Sequence, residues 1–128
     1  VTAQLARSAV RSCVSLPIKA VIIDTLSGRT GRYMSAFRGQ KPVYAICYKK
    51  NVMRELTLSY GIYAGYQEPS YIHRDFLRKE MNILLKNNSI EMDDMIVVVG
   101  GDYGAEHGAS FMEISKVDEL LGKLKRAR

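Results

Sequence analysis

The sequence predicts an α/β domain: a three-layer α/β/α sandwich on a mixed, mostly parallel five-stranded sheet whose last strand runs antiparallel. Three observations predict it. Helical and extended patterns alternate along the chain, an order that places a mostly parallel sheet between helices. Residues 18–23 and 95–99 are near-continuous runs rich in Val and Ile, as expected of strands covered on both faces. The last two extended segments are joined by a loop of about 10 residues, shorter than the dozen or more that a parallel crossover needs.

Residues 3–15 carry Leu5, Ala6, Ala9, Val10, Cys13 and Val14 on one helical face, with Arg7, Ser8, Arg11, Ser12 and Ser15 on the other. Pro17 stops this helix. Residues 18–23 are the first strand. Asp24 and the polar turn 25–30 then open a second helix, with Ser27 its expected N-cap. That helix ends near Phe37, where Gly39 can close it. Pro42 precedes a second strand, residues 43–47. A short helix begins at Asn51 and stops at Gly61, and residues 62–64 form a third, weaker strand. The polar stretch Gln67, Glu68, Pro69, Ser70 leads into a long helix ending near Lys86, with Ile72, Phe76, Leu77, Met81 and Leu84 as its apolar face. After strand 95–99 comes a loop punctuated by Gly100, Gly101, Gly104 and Gly108. Residues 111–114 make the last strand. Residues 117–125 make a closing helix, with Val117, Leu120, Leu121 and Leu124 on one side.

A chain of 128 residues, 47% hydrophobic and 25% charged, fits one domain over 1–128 with a real core. The net charge is +6, but the basic residues are scattered, and only Lys123, Lys125, Arg126 and Arg128 crowd together. They read as solvated faces and a polar tail. No aromatic residues interleave with a basic stripe, so no nucleic acid partner is expected. No apolar run approaches the roughly 20 residues of a membrane span, and no signal peptide is evident, so no membrane partner is expected either. Cys13 and Cys47 sit in apolar patterns without a disulfide framework. They read as buried thiols in a reducing compartment, and the expected location is cytoplasmic. The chain starts at Val1, which suggests a piece of something longer or a processed product.

Two loops carry chemistry. The turn Thr25, Leu26, Ser27, Gly28, Arg29, Thr30 joins a buried strand to a helix N-terminus, where unbonded amides and the helix dipole favour an anion. Its hydroxyls add donors, Gly28 allows close approach, and Arg29 and Arg32 supply charge. It matches neither GxxxxGK[ST] nor GxGxxG. The same residues also read as a capped βα turn with surface hydroxyls, and the sequence leaves both readings open. The loop from Gly100 to Gly108 likewise follows a buried strand, where open α/β sheets collect ligands, or it is a plain connection between antiparallel strands. His107 within it is a phosphate contact or a lone surface histidine. His73 has no partner at metal-ligand spacing. Asp24 lacks the acidic cluster and lysine of a phospho-accepting receiver, and no serine elbow or Cys–His pair is present, so no catalytic residue and no metal site is expected.

At these loops the chain resembles the C-terminal domain of pyruvate kinase. That family has a buried strand ending in Thr-x-Ser-Gly-[Arg/Lys]-[Ser/Thr], matched by Thr25, Ser27, Gly28, Arg29 and Thr30. Its next strand follows a Pro, as in Lys41-Pro42-Val43-Tyr44-Ala45-Ile46, and a Gly-Ile pair precedes the third, as in Tyr60-Gly61-Ile62. Asp94-Met95-Ile96-Val97-Val98-Val99-Gly100-Gly101 is similar to its penultimate strand and glycine-rich loop. The resemblance covers roughly residues 3–115. It implies a regulatory and subunit-assembly domain that does no chemistry itself. The whole enzyme transfers phosphoryl between phosphoenolpyruvate and ADP in a separate barrel of about 250 residues. Magnesium and potassium would belong to that missing part, and this chain would hold no cofactor and be inactive alone.

The resemblance further implies homo-oligomers formed through this domain and a sugar phosphate or other phosphorylated small molecule as effector. Residues 25–30 would hold its phosphate. Gly101, Asp102, Tyr103, Gly104, His107 and Gly108 would form a second effector loop, with Lys86 near a position that is basic in effector-binding members. Two departures stand out. Asp102 and Glu106 occupy a loop that is basic or tryptophan-containing in many members, and two acids there repel a bisphosphate. The helix and tail over 117–128 extend past the usual family end. The rival readings are a free-standing module for a phosphorylated metabolite and a purely structural interface domain.

Overall fold

The β-branched run after Pro17 becomes β1 (Ile18–Thr25), buried along its length except at Lys19. The computed structural model describes residues 1–37, 39–70, 72, 74–101 and 108–126. Around β1 the chain forms α1 (Thr2–Ser15), α2 (Arg29–Ala36), β2 (Val43–Cys47), α3 (Lys50–Leu56), β3 (Ile62–Tyr66), α4 (Asp75–Lys86), β4 (Met95–Gly100), β5 (Phe111–Lys116) and α5 (Val117–Arg126). The strands lie in the order β3-β2-β1-β4-β5. β1 pairs in parallel with β2 and β4, and β2 with β3, while β5 pairs antiparallel with β4. The mixed sheet read from the short β4–β5 connection is therefore the observed one.

Side chains alternate across each strand, and this splits the core in two. Val21, Ile23, Ala45, Val97 and Val99 meet Ala6 and Ala9 of α1, Met34 of α2 and Leu56 of α3. Ala20, Ile22, Ile46, Ile96 and Val98 meet Phe76, Leu77 and Met81 of α4 and Leu120 and Leu121 of α5. Three helices cover one face and two the other, which makes the three-layer sandwich. The closing helix α5 is integral to the second core rather than a loose tail.

Four local readings change. Gly28, not Ser27, is the N-cap of α2, and it adopts a left-handed φ of +89° with no side-chain cap. The turn needs a positive φ at this position, which glycine adopts at no steric cost. Helix α3 ends at Leu56, well before Gly61, because residues 57–61 fold into a turn closed by Ser59 N–H donating to the Leu56 carbonyl at 2.9 Å. Helix α4 begins only at Asp75, so Ile72 lies outside it and is exposed. Val14 is 84% exposed: it sits at the margin of the α1 apolar stripe, whose centre at Ala6 and Ala9 takes the contact with the sheet.

Candidate anion-binding site

β1 delivers the chain to β2 on one side and lies against β4 on the other, so the strand order reverses between β1 and β4. In open α/β sheets the crevice outside the carboxyl ends of strands at such a switch point is where ligands bind. Ile23 pairs with Val99, so the chain leaves these strands side by side, into the 25–30 turn from one and through Gly100 and Gly101 from the other. The two sequence-predicted loops thus start as neighbours.

The turn is internally bonded. Thr25 Oγ1 accepts the Gly28 N–H at 2.9 Å, and Ser27 Oγ accepts the Arg29 N–H at 3.3 Å. Arg32 folds back over the turn, and its Nη1 donates to the Ser27 carbonyl at 3.1 Å. The first intrahelical bond runs from Arg32 N–H to the Gly28 carbonyl at 2.9 Å, so the Thr30 and Gly31 amides precede it and carry the positive end of α2. Thr25 and Thr30 are buried, which leaves Ser27 as the exposed hydroxyl of the three. Leu26 packs against the second core and pins the turn to the sheet. Arg29 reaches toward the far foot of the glycine-rich loop: its Nη1 lies 3.9 Å from where a Cβ on Gly108 would stand.

Both described feet of that loop are anchored. Gly101 N–H donates to Asp24 Oδ1 at 3.1 Å, and Ala109 N–H donates to Thr2 Oγ1 at 3.1 Å, beside Gly108 at φ +83°. Asp24 Oδ2 also accepts the Tyr48 hydroxyl at 2.8 Å. Burial, and then the Asp24 charge, push ionisation of Tyr48 well above the usual phenol range, so the phenol stays a donor. Asp102, Tyr103, Gly104 and His107 lie outside the described residues. Lys86 is not brought to this site. It ends α4, which returns the chain from the carboxyl ends of the strands to the start of β4, so it lies at the opposite end of the sheet.

Three basic groups elsewhere, Arg74, Arg78 and Lys79, are tied to carboxylates. Arg74 bonds Glu113 at 2.6 Å and lies 4.2 Å above the Phe111 ring. Arg78 and Lys79 hold Asp75 at 2.7 and 3.1 Å. Burial disfavours the Asp75 carboxylate, but bonds from Arg78, Lys79 and Ser70 outweigh it and bring its pKa down to about 2. Burial raises Cys47 to about 11 and also raises Cys13, against an opposing effect of Lys41. Among the described residues no group of three or more His, Cys, Asp or Glu is arranged to hold a metal ion, and no helix is long and apolar enough to cross a membrane. Sequence reasoning missed the Asp24–Tyr48–Gly101 junction. Its one sequence signal is a lone acid closing an apolar strand.

A family model described as pyruvate kinase, alpha/beta domain, matches residues 3–115. The pyruvate kinase of Borreliella burgdorferi is 28% identical over 109 residues, which are 83% of this chain and 23% of that protein. That of Bacillus licheniformis is 25% identical over 123 residues, 96% of this chain and 21% of that protein. Among solved structures, Cryptosporidium parvum pyruvate kinase in complex with ADP superposes with a TM-score of 0.79 at 25% identity, covering 91% of this chain and 24% of that one. The chain therefore spans 21% to 24% of the length of these relatives.

Proposed function

The chain belongs to the pyruvate kinase family as its C-terminal α/β domain, and from that premise we propose that it is a regulatory and assembly domain holding a phosphorylated small molecule in the 25–30 turn. The observation that carries the reading is the turn's position. It lies at the β1/β4 switch point, with the Thr30 and Gly31 amides ahead of the first helical bond and two arginines alongside. An anion there meets backbone donors, a helix dipole and guanidinium charge together. Each charge-assisted bond contributes about 1.5–3 kcal/mol. Three or four of them, less the cost of association, give an affinity of roughly micromolar to millimolar.

In the whole protein this domain accompanies a catalytic barrel that transfers phosphoryl between phosphoenolpyruvate and ADP. Magnesium and potassium would be held there and not by this chain. Self-association through the domain and a cytoplasmic setting belong to the same reading. One observation favours a rival, purely structural turn: the Thr25 and Ser27 hydroxyl oxygens already accept amides of the turn itself. Both hydroxyls keep a hydrogen to donate, so the bonds order the turn without closing it to a ligand.

Calorimetric titration with inorganic phosphate, ribose phosphate and hexose phosphates separates the two. Wild type binds at least one of them, more weakly as salt rises, and Ser27→Ala and Arg29→Ala each weaken binding with little loss of fold. No binding to wild type below about 10 mM, or equal binding by both variants, leaves the turn a structural one.

A further inference from the structure

The geometry points to Asp24 as a positioning residue of the anion site: one carboxylate fixes the first residue after β4 and the first residue after β2 against the start of the 25–30 turn. The inference rests on the phosphate-binding reading above and names a residue that neither the turn nor the glycine-rich loop contains.

Asp24 is fully buried, at 0% exposure, in a strand whose residues 20–23 are all apolar. A leucine or valine would complete that strand at no desolvation cost, whereas a buried carboxylate is costly unless it is well bonded. Among the bonds the acid makes are two directional ones to residues that follow two different strands. Oδ1 takes the Gly101 N–H at 3.1 Å, and Oδ2 takes the Tyr48 hydroxyl at 2.8 Å. Tyr48 directly follows β2, Gly101 directly follows β4, and Asp24 itself directly precedes Thr25. The carboxylate therefore ties together the carboxyl ends of three adjacent strands and bridges β1 and β4 at the switch point of the strand order. Its seat is tight. A Cβ on Gly100 would stand 3.0 Å from Oδ1 and 2.9 Å from Phe111 Cζ.

The link to the ligand runs through the backbone. Thr25 orients the turn by accepting the Gly28 N–H, and Asp24 is its chain neighbour. A shift of Asp24 moves Thr25 and, with it, the amides that face the anion. Small misplacements of binding groups are costly in such sites.

The test measures inorganic phosphate affinity by calorimetry in wild type, Asp24→Asn, Tyr48→Phe and the double variant, with circular dichroism to establish folding at the titration temperature. Positioning predicts that Asp24→Asn weakens phosphate binding about three- to tenfold, the worth of one lost bond. Tyr48→Phe weakens it less. The double variant is no weaker than Asp24→Asn, because Tyr48 acts through the carboxylate. The sign discriminates: loss of a negative charge near the site would by itself strengthen anion binding. A folded Asp24→Asn chain that binds phosphate as well as wild type or better overturns the inference. If Asp24→Asn does not fold, Tyr48→Phe decides alone, and unchanged affinity there overturns it. A wild type that binds no phosphate removes the phosphate-binding reading itself and this inference with it, an outcome distinct from failure in the variants only.

Discussion

Replacing Gly28 by alanine tests the geometry of the turn directly. Gly28 has φ +89°, and a Cβ there would stand 2.7 Å from Arg32 Nη1 and 3.2 Å from Val52 Cγ1. The left-handed backbone alone costs an alanine about 1–2 kcal/mol. Relief of the contact makes the flexible Arg32 side chain give up its bond to the Ser27 carbonyl, a further loss of about 0.5–1.5 kcal/mol. The sum is about 1.5–3.5 kcal/mol, or roughly 6–14 °C in Tm for a chain of this size. Gly61 supplies the control, since its φ is +72° and nothing lies within 4 Å of its would-be Cβ. Gly61→Ala therefore carries the backbone cost only, about 1–2 kcal/mol. Thermal melts of both variants, and of Gly28→Ala in an Arg32→Ala background, separate the two contributions. The excess at Gly28 should shrink when Arg32 is absent, to what the Val52 contact alone costs. Equal losses at Gly28 and Gly61 would refute the placement of Arg32 across the turn.

Two further outcomes follow from the buried polar contacts. Asp75 is brought down to a pKa of about 2 from the ordinary 3.8; a depressed carboxylate stabilises the fold above its unfolded pKa and loses that effect as pH falls through its folded one. Asp75→Asn should therefore cost about 2 kcal/mol at neutral pH and flatten the stability loss between pH about 4 and 2, read by urea unfolding across that window. Parallel acid limbs in wild type and variant would contradict the ion-pair assignment. Thr2→Val strips the Ala109 N–H of its acceptor in a buried setting and should cost about 1–3 kcal/mol, with Thr2→Ser recovering most of it in thermal melts. A valine variant as stable as wild type would show that the contact contributes nothing.

The fold was legible wherever one local rule decided it. β1 and β4 were readable because burial on both faces demands an unbroken apolar run, and the antiparallel β5 because ten residues cannot make a crossover. Boundaries set by backbone geometry were less legible. Ser27 looks like a cap by residue type, yet the cap is the residue after it, because the turn requires a positive φ there. Ile72 continues a helical spacing, but Arg74 at φ +55° breaks the helix between it and Asp75. In the candidate site, the 25–30 turn was legible as a motif in its place among the elements. The bonds that anchor its surroundings were not. Asp24 meets Gly101 across 77 positions of sequence and Thr2 meets Ala109 across 107. No spacing rule reaches that far, and only the strand order brings these residues together.

β1 is the central strand, hydrogen-bonded on both sides and buried along its length except at Lys19, so its amides are expected to exchange with solvent chiefly through opening of the whole domain. The 25–30 turn hangs from its last residue. A ligand held in that turn is thereby anchored to the slowest-opening part of the molecule rather than to a fraying edge. Its binding energy accrues to the global unfolding equilibrium, and occupancy of the turn registers as a rise in the melting temperature of the entire domain.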